Sequence, residues 1–199
     1  RMAATADLTR RLAVALVGLP LVILVLIRGG WWLGAVVALM AALGTREFYA
    51  LTQACGARPF RWVGALTSAA LVLLVTAQPT PGTLLIGAVP ALVLLTLALI
   101  GASVWRRWPE GRPTAAVGAT LVGVLYIGGP LAFAPLLREL PHQAGVVGPG
   151  AVGWAPALFV ALPLAITWVG DSSAYFAGRA FGRRPLAPAA SPAKTIEGA

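Results

Sequence analysis

The sequence predicts an all-α polytopic membrane protein with about six transmembrane helices and a cytoplasmic N-terminus. Three observations predict it. Hydrophobic residues make up 59% of the 199-residue chain and charged residues 11%, where a soluble domain carries about 25% charged residues. The charges stand at the edges of long uncharged runs. The basic residues, 15 against 6 acidic, fall on alternate connections between those runs, the pattern of cytoplasmic loops. So apolar a chain cannot be disordered, and arginines placed between apolar spans argue against a nucleic-acid partner for the net charge of +9. A lone cysteine, Cys55, excludes an internal disulfide framework, and a lone histidine, His142, excludes a multi-histidine metal site. The 23 glycines and 16 prolines are tolerated better in transmembrane helices than in soluble ones.

A membrane-spanning helix needs roughly 20 apolar residues. Arg11 and Arg28 enclose 16 uncharged residues, Leu12–Ile27, which predicts a helix near 12–27. Arg10-Arg11 ahead of this run has the look of an export signal. However, Arg28-Gly29-Gly30-Trp31-Trp32 follows without a small-residue cleavage site, so the run is read as a retained span. Arg28 and Arg46 enclose 17 residues, a helix near 31–45. Both runs are short, and flanking arginines reach the interface by snorkelling. Arg61 and Arg106 enclose 44 residues, too many for one helix. Gln78-Pro79-Thr80-Pro81-Gly82 breaks them into helices near 62–77 and 83–105. The 25 residues between Arg112 and Arg138 give a helix near 114–137. The last apolar run starts at Trp154 and reaches Ala180, with Asp171 inside it and Arg179 at its end, giving a helix near 155–177. Residues 1–199 are read as one transmembrane domain, incomplete at its C-terminus, with 178–199 as a cytoplasmic, substrate-facing segment.

Arg1, Arg10, Arg11, Arg46, Arg58, Arg61, Arg106, Arg107, Arg112, Arg179, Arg183, Arg184 and Lys194 share one side under this count, and only Arg28 and Arg138 take the other. The first side is the cytoplasm. Trp31, Trp32, Trp62, Trp105, Trp108 and Trp154 lie near helix ends, where aromatic belts anchor spans at the interface. Gly30-x-x-x-Gly34 and Gly178-x-x-x-Gly182 have the spacing of close helix packing, a weak signal by itself.

Two places could carry chemistry. Asp171 lies toward the cytoplasmic end of the last span. A carboxylate at the bilayer centre costs about 3 kcal/mol, so one that persists faces an interior or a wet cavity. Tyr175 follows at i+4 and Gly178 at i+7 on the same helix face, beside a small-residue stripe of Gly170, Ala174 and Gly178. The alternative is a carboxylate paired with Arg179 or snorkelling to the surface. The second place is 178–198, with Arg179, Arg183, Arg184, Lys194, Ser191 and Thr195 on a glycine-rich backbone, the groups that phosphates require. Ser191-Pro192 has the form of a helix start, Ser as N-cap and Pro at N1, which would aim free N–H groups at an anion. The alternative is a basic loop against anionic lipid. Ser191-x-x-Lys194 lacks the companion motifs of penicillin-binding enzymes, and there is no Walker A sequence, G-x-S-x-G elbow or D-D-x-x-D cluster. His142 is read as solvated in an outside loop, and Glu47 as an interfacial ion pair with Arg46.

Asp171-Ser172-Ser173-Ala174-Tyr175-Phe176-Ala177-Gly178-Arg179-Ala180-Phe181-Gly182, followed by Leu186-Ala187-Pro188 and Ser191-Pro192-Ala193-Lys194-Thr195-Ile196-Glu197-Gly198, resembles the bacterial phosphatidate cytidylyltransferase (CDP-diacylglycerol synthase) family. The pattern D-x-x-A-Y-x-x-G-x-x-F-G, then L-x-P-x-x-S-P-x-K-T-x-E-G, is matched at every fixed position over about 30 residues. Upstream, Arg10-Arg11, Glu47-Phe48-Tyr49 and Gly123-Val124-Leu125-Tyr126-Ile127-Gly128 are similar in style. Ala193 departs from the second lysine frequent at that position. The family's K-R, K-D, H-G-G and D-R-x-D elements, with the carboxylates implied to hold its metal, are not in this chain. The resemblance therefore implies the N-terminal part of the enzyme, inactive alone.

What the resemblance implies is transfer of CMP from CTP to phosphatidate, giving CDP-diacylglycerol and pyrophosphate. It implies Mg²⁺ or another divalent cation, a multi-pass home in the inner membrane with the active face cytoplasmic, and a homodimer. Asp171 and Lys194 are the expected catalytic residues, Asp171 with a cation or its water and Lys194 with a phosphate. Tyr175, Ser191, Thr195, Arg179, Arg183, Arg184 and Glu197 are expected on the substrate side, Glu197 chiefly ordering the loop. The competing reading is a transporter or channel fragment with Asp171 on an ion path, which would show an inverted repeat.

Overall fold

The computed structural model describes residues 16–107, 112–148, 152–187 and 191–198. Arg1, Arg10, Arg11, Trp108 and Pro188 lie outside the described residues, as does the start of the first expected helix. The helices are α1 (Leu16–Arg28), α2 (Gly30–Ala54), α3 (Arg61–Ala77), α4 (Val89–Arg107), α5 (Pro113–Gly123), α6 (Gly129–Gln143) and α7 (Trp154–Phe181). Four helical stretches are long and apolar enough to cross a membrane: Gly30–Ala54, Thr83–Trp105, Pro113–Gln143 and Trp154–Phe181. Leu16–Arg28 and Arg61–Ala77 are shorter apolar helices. The chain divides into two compact units, Arg1–Ala157 and Leu158–Ala199.

In the first unit α2 packs along α3, both meet α6, and α4 meets α5. Lipid offers no hydrophobic drive between helices, so close packing and interhelical hydrogen bonds hold them. The buried positions suit that: Ala38, Ala41, Ala65, Val72, Val75, Ala116 and Ala132. Gly34 of the first glycine pair lies directly against Thr76 of α3. Thr45 Oγ1 donates to Ser68 Oγ at 2.9 Å, joining α2 to α3 with both groups fully buried.

Two helical stretches loosen into π turns, Thr83–Ala88 ahead of α4 and Val124–Gly128 between α5 and α6. Each turn holds the carbonyl four residues before a proline: Ile86 for Pro90 and Tyr126 for Pro130. A proline ring clashes with that carbonyl and offers it no N–H, and a π turn relieves the clash without ending the helix.

Two arginines used above as helix boundaries lie inside helices. Arg46 does not end α2, which runs on to Ala54 instead of stopping near 45. Its guanidinium stands 4.8 Å from the Trp62 ring centroid, a favourable cation–π position. No ion pair joins Arg46 to Glu47 among the described residues. The helix ends where Gly56 takes φ +83 and the N–H groups of Cys55 and Gly56 turn back to the carbonyls of Thr52 and Gln53.

Arg138 likewise does not end the fifth helical stretch, which reaches Gln143 rather than 137. It is buried, 3% exposed, and is not a loop charge. Its Nε and Nη2 donate to the carbonyls of Leu26 and Ile27 at 3.1 and 3.0 Å. A helix leaves its last four carbonyls without intrahelical partners, and Arg138 supplies donors for two of those on α1. His142 is also helical and half-buried rather than in a loop, with Nδ1 3.1 Å from Glu139 Oε2.

The two upstream segments of family-like style meet here. Tyr49 is fully buried and its hydroxyl donates to the Thr120 carbonyl at 2.7 Å. Its ring fills the space left by Gly64 and Gly123, and Phe48 lies 6.1 Å from Tyr126, centroid to centroid. Thr120 also accepts from the Phe60 N–H and donates to the Ala116 carbonyl through Oγ1. The Thr120 carbonyl keeps a second donor, the Val124 N–H, so losing the tyrosine bond leaves no orphan. Tyr49→Phe should therefore cost only about 1 kcal/mol. Gly123→Val forces the ring aside and should cost about 1–3 kcal/mol. Thermal unfolding in detergent checks the order of the two.

In the second unit α7 continues to Phe181, four residues beyond the expected end, so Gly178 and Arg179 are helical. Beyond it Pro185–Ala187 (β1) and Ser191–Thr195 (β2) pair antiparallel, and Ile196–Gly198 forms a 3-10 turn. The chain is therefore not all-α. Ser191-Pro192 opens a strand, not a helix. Ala187 pairs with Ser191 and Pro185 with Thr195, and a proline is tolerated in a two-stranded sheet because both strands are edges.

Candidate functional site

The family-like residues converge within the second unit. An open cleft of about 740 Å³ is lined by Asp171, Ala174, Tyr175, Gly178 and Arg179 from α7 and by Ser191, Lys194, Thr195 and Gly198 from the hairpin and its 3-10 turn. The helical spacing of Asp171, Ala174, Tyr175 and Gly178 puts them on one face. The reversal at β1–β2 brings Lys194 back to that face, so residues 23 positions apart share one cleft.

Asp171 is exposed and has no ion-pair partner among the described residues, so the expected alternative of pairing with Arg179 is not what forms. Arg179 instead donates from Nη1 to the Tyr175 hydroxyl at 3.1 Å, holding the phenol at the cleft. Lys194 is exposed and likewise has no ion-pair partner among the described residues. One free carboxylate, one free ammonium and the Ser191 hydroxyl thus share the cleft.

Arg183 and Arg184 lie apart from the cleft, while Glu197 orders the loop. Glu197 Oε2 accepts from the backbone N–H groups of Arg183 and Arg184 at 3.0 and 3.4 Å, and the Ile196 N–H donates to the Arg184 carbonyl at 2.9 Å. Arg183 and Glu197 line a separate hollow with Ala180, Phe181 and Gly182, and Arg184 is not on the cleft wall. Glu197 is a tie that closes the turn after α7. The Arg183 N–H, and then other backbone donors, hold its carboxyl below the usual glutamate range. A depressed carboxyl pKa adds stability above the unfolded value that is lost as pH falls through the folded one. Arg183 and Arg184 amides should therefore be protected from exchange at neutral pH, and Glu197→Ala should remove that protection. The wild type should lose it only once pH drops below the ordinary carboxylate range. Protection factors by hydrogen exchange measure both.

Thr195 lines the cleft with its hydroxyl turned away from solvent. Its Oγ1 is shielded and has no hydrogen-bond partner, packed against Gly178 and Gly182. The second glycine pair therefore receives the hairpin rather than a neighbouring span. Gly198, absent from the expected site, lines the cleft and touches α7. Its signal was only its place at the end of the matched pattern.

For a divalent cation the described residues offer one ligand. No group of three or more His, Cys, Asp or Glu side chains is gathered among them. Asp171 fits as a single carboxylate of the kind Mg²⁺ takes when substrate phosphates and water complete its octahedron.

The chain belongs to the cytidylyltransferase family, whose model matches residues 9–199. It is 31% identical over 208 residues to a phosphatidate cytidylyltransferase from Synechocystis, covering 96% of this chain and 67% of that protein. It is 31% identical over 172 residues to one from Chlamydia pneumoniae, covering 83% of this chain and 53% of that protein. With the enzyme of the same name from Haemophilus influenzae it shares 61% identity over 33 residues, about the length of the matched pattern. The chain thus spans between half and two thirds of the two relatives it matches at length. No solved structure matches it. Family membership makes the chain part of a nucleotidyltransferase and sets the transporter reading aside.

Proposed function

We infer that this chain carries the phosphate-binding part of a phosphatidate cytidylyltransferase, which moves CMP from CTP to phosphatidate in phospholipid synthesis. The observation that carries the reading is the cleft itself: the matched pattern folds so that Asp171, Tyr175, Ser191 and Lys194 line one cleft. A phosphatidate oxygen forms a bond to the α-phosphorus of CTP, the α–β anhydride bond breaks, and pyrophosphate leaves. Lys194 meets the negative charge of a phosphate, and Ser191 donates to a phosphate oxygen. The Arg179–Tyr175 pair holds the cleft's edge for the lipid head group. Asp171 would help hold a divalent cation, which would supply charge neutralisation to the polyphosphate.

The reading also orients the chain. Six spans, counting α1 and α3 as short ones flanked by arginines, put the N-terminus and the 46–61, 106–113 and 178–199 segments in the cytoplasm of a bacterial inner membrane. The Arg138 side chain, committed to α1 carbonyls, no longer counts against that orientation and leaves Arg28 alone on the far side. A cleft at the cytoplasmic interface receives CTP from water and phosphatidate from the bilayer. The test is passage of α-labelled CTP into chloroform-soluble lipid by the complete gene product in membranes. Label that requires both phosphatidate and divalent cation supports the reading. A folded protein that yields none overturns it.

A further inference from the structure

Gly178, Gly182, Thr195 and Gly198 hold no substrate in the reading above, yet they bring the end of α7 and the return strand into close contact. We propose that they form a latch that seats the return strand on α7 and so fixes where Lys194 stands. The proposal rests on the assignment of Lys194 to a phosphate.

The two elements touch backbone to backbone. A Cβ placed on Gly198 would lie 2.6 Å from the Ala174 carbonyl oxygen and 2.7 Å from Gly178 Cα. One placed on Gly182 would strike the Gly178 carbonyl oxygen of its own segment and would also lie 2.6 Å from Thr195 Oγ1 and 2.7 Å from its methyl carbon, and one on Gly178 would lie 3.0 Å from Thr195 Oγ1. Carbon atoms pack at about 3.5–4.0 Å, so the space a side chain would need is already filled by the other element. Thr195 occupies the notch between Gly178 and Gly182. Its hydroxyl gains nothing there, being shielded and without a hydrogen-bond partner. The contact uses the shape of the side chain.

From Thr195 to Gly198 every residue is tied down. Thr195 is held by the notch, Ile196 by its bond to the Arg184 carbonyl, Glu197 by the Arg183 and Arg184 N–H groups, and Gly198 by contact with Ala174 and Gly178. Lys194 is the next residue back, with its side chain exposed at the cleft. A lysine is a point charge on a flexible four-carbon stem. Its reach is set by where its Cα is held, and the latch holds it.

These are positioning residues, so the test must read their action through Lys194. In the complete gene product with α-labelled CTP and phosphatidate, Gly178→Ala should lower kcat on the order of 5–10-fold, the part of the roughly 10²-fold cost of a 1 Å misplacement that a smaller shift of the strand carries. In a Lys194→Ala background the same change should cost no more than about twofold, since the group it displaces is already gone. Thr195→Val, which keeps the shape, should be faster than Thr195→Ser, which keeps the hydroxyl. Trypsin should cut the folded Gly178→Ala protein faster than wild type after Arg183 and Lys194.

A full Gly178→Ala penalty in the Lys194→Ala background overturns the proposal, as does Ser exceeding Val at position 195 or faster cleavage with kcat unchanged. If Gly178→Ala does not fold, the position-195 pair decides alone. Wild-type protein that makes no labelled lipid counts against the functional reading instead, and the trypsin comparison still decides whether the latch exists.

Discussion

Lys194→Ala in the complete gene product should lower kcat/KM for CTP on the order of 10²–10³-fold while leaving the protein folded. The size follows from what the side chain does. A charge-assisted donor aimed at developing phosphate charge is worth about 2.7–4 kcal/mol of transition-state stabilisation, and each 1.36 kcal/mol is tenfold in rate. Folding should not suffer, because Lys194 is exposed and lacks an ion-pair partner among the described residues. Lys194→Arg separates charge from placement. Arginine keeps the positive charge, but its planar fork does not reproduce an ammonium's point contact, so only part of the loss should return. Steady-state kinetics with label in chloroform-soluble lipid, beside thermal unfolding in detergent, checks both halves. Unchanged kinetics would remove Lys194 from the site.

Much of this arrangement is visible in the sequence, and the failures have a common cause. Charge gaps locate the helices because a solvated charge is costly inside a bilayer. They misplace the ends of α2 and the fifth helical stretch because Arg46 and Arg138 find partners within the structure: the Trp62 ring in one case, the α1 carbonyls in the other. A charge whose donors are satisfied does not end a helix. Ser191-Pro192 misleads differently. The hydroxyl and fixed φ that start a helix also suit an edge strand, and only pairing across to Ala187 decides. The cleft was legible as a set of residues, since the pattern names Asp171, Tyr175 and Lys194. The division of labour among them was not. Thr195, Glu197 and the glycines match the same pattern, but whether a matched residue faces ligand or backbone depends on which face of the hairpin meets α7.

Asp171→Asn is the second large effect expected, and it distinguishes the roles open to this carboxylate. The change keeps size and hydrogen-bonding ability and removes the charge. Asp171 is exposed and has no ion-pair partner among the described residues, so the change breaks no bridge and should cost almost no stability. Surface changes of this kind stay within about 0.5 kcal/mol. If Asp171 contributes a ligand to a divalent cation, activity should fall on the order of 10²-fold, comparable to other single electrostatic contacts at such sites. The concentration of Mg²⁺ for half-maximal rate should rise with it, and binding of Mn²⁺ followed by electron paramagnetic resonance should weaken without turnover. If Asp171 only shaped the cleft, Asn would serve as well and none of the three would move. If it acted on the lipid alone, KM for phosphatidate would rise while Mn²⁺ binding stayed the same. The charge is the only thing that changes at this position, which makes the cation dependence the decisive reading: the carboxylate faces an open cleft and has no ion-pair partner among the described residues.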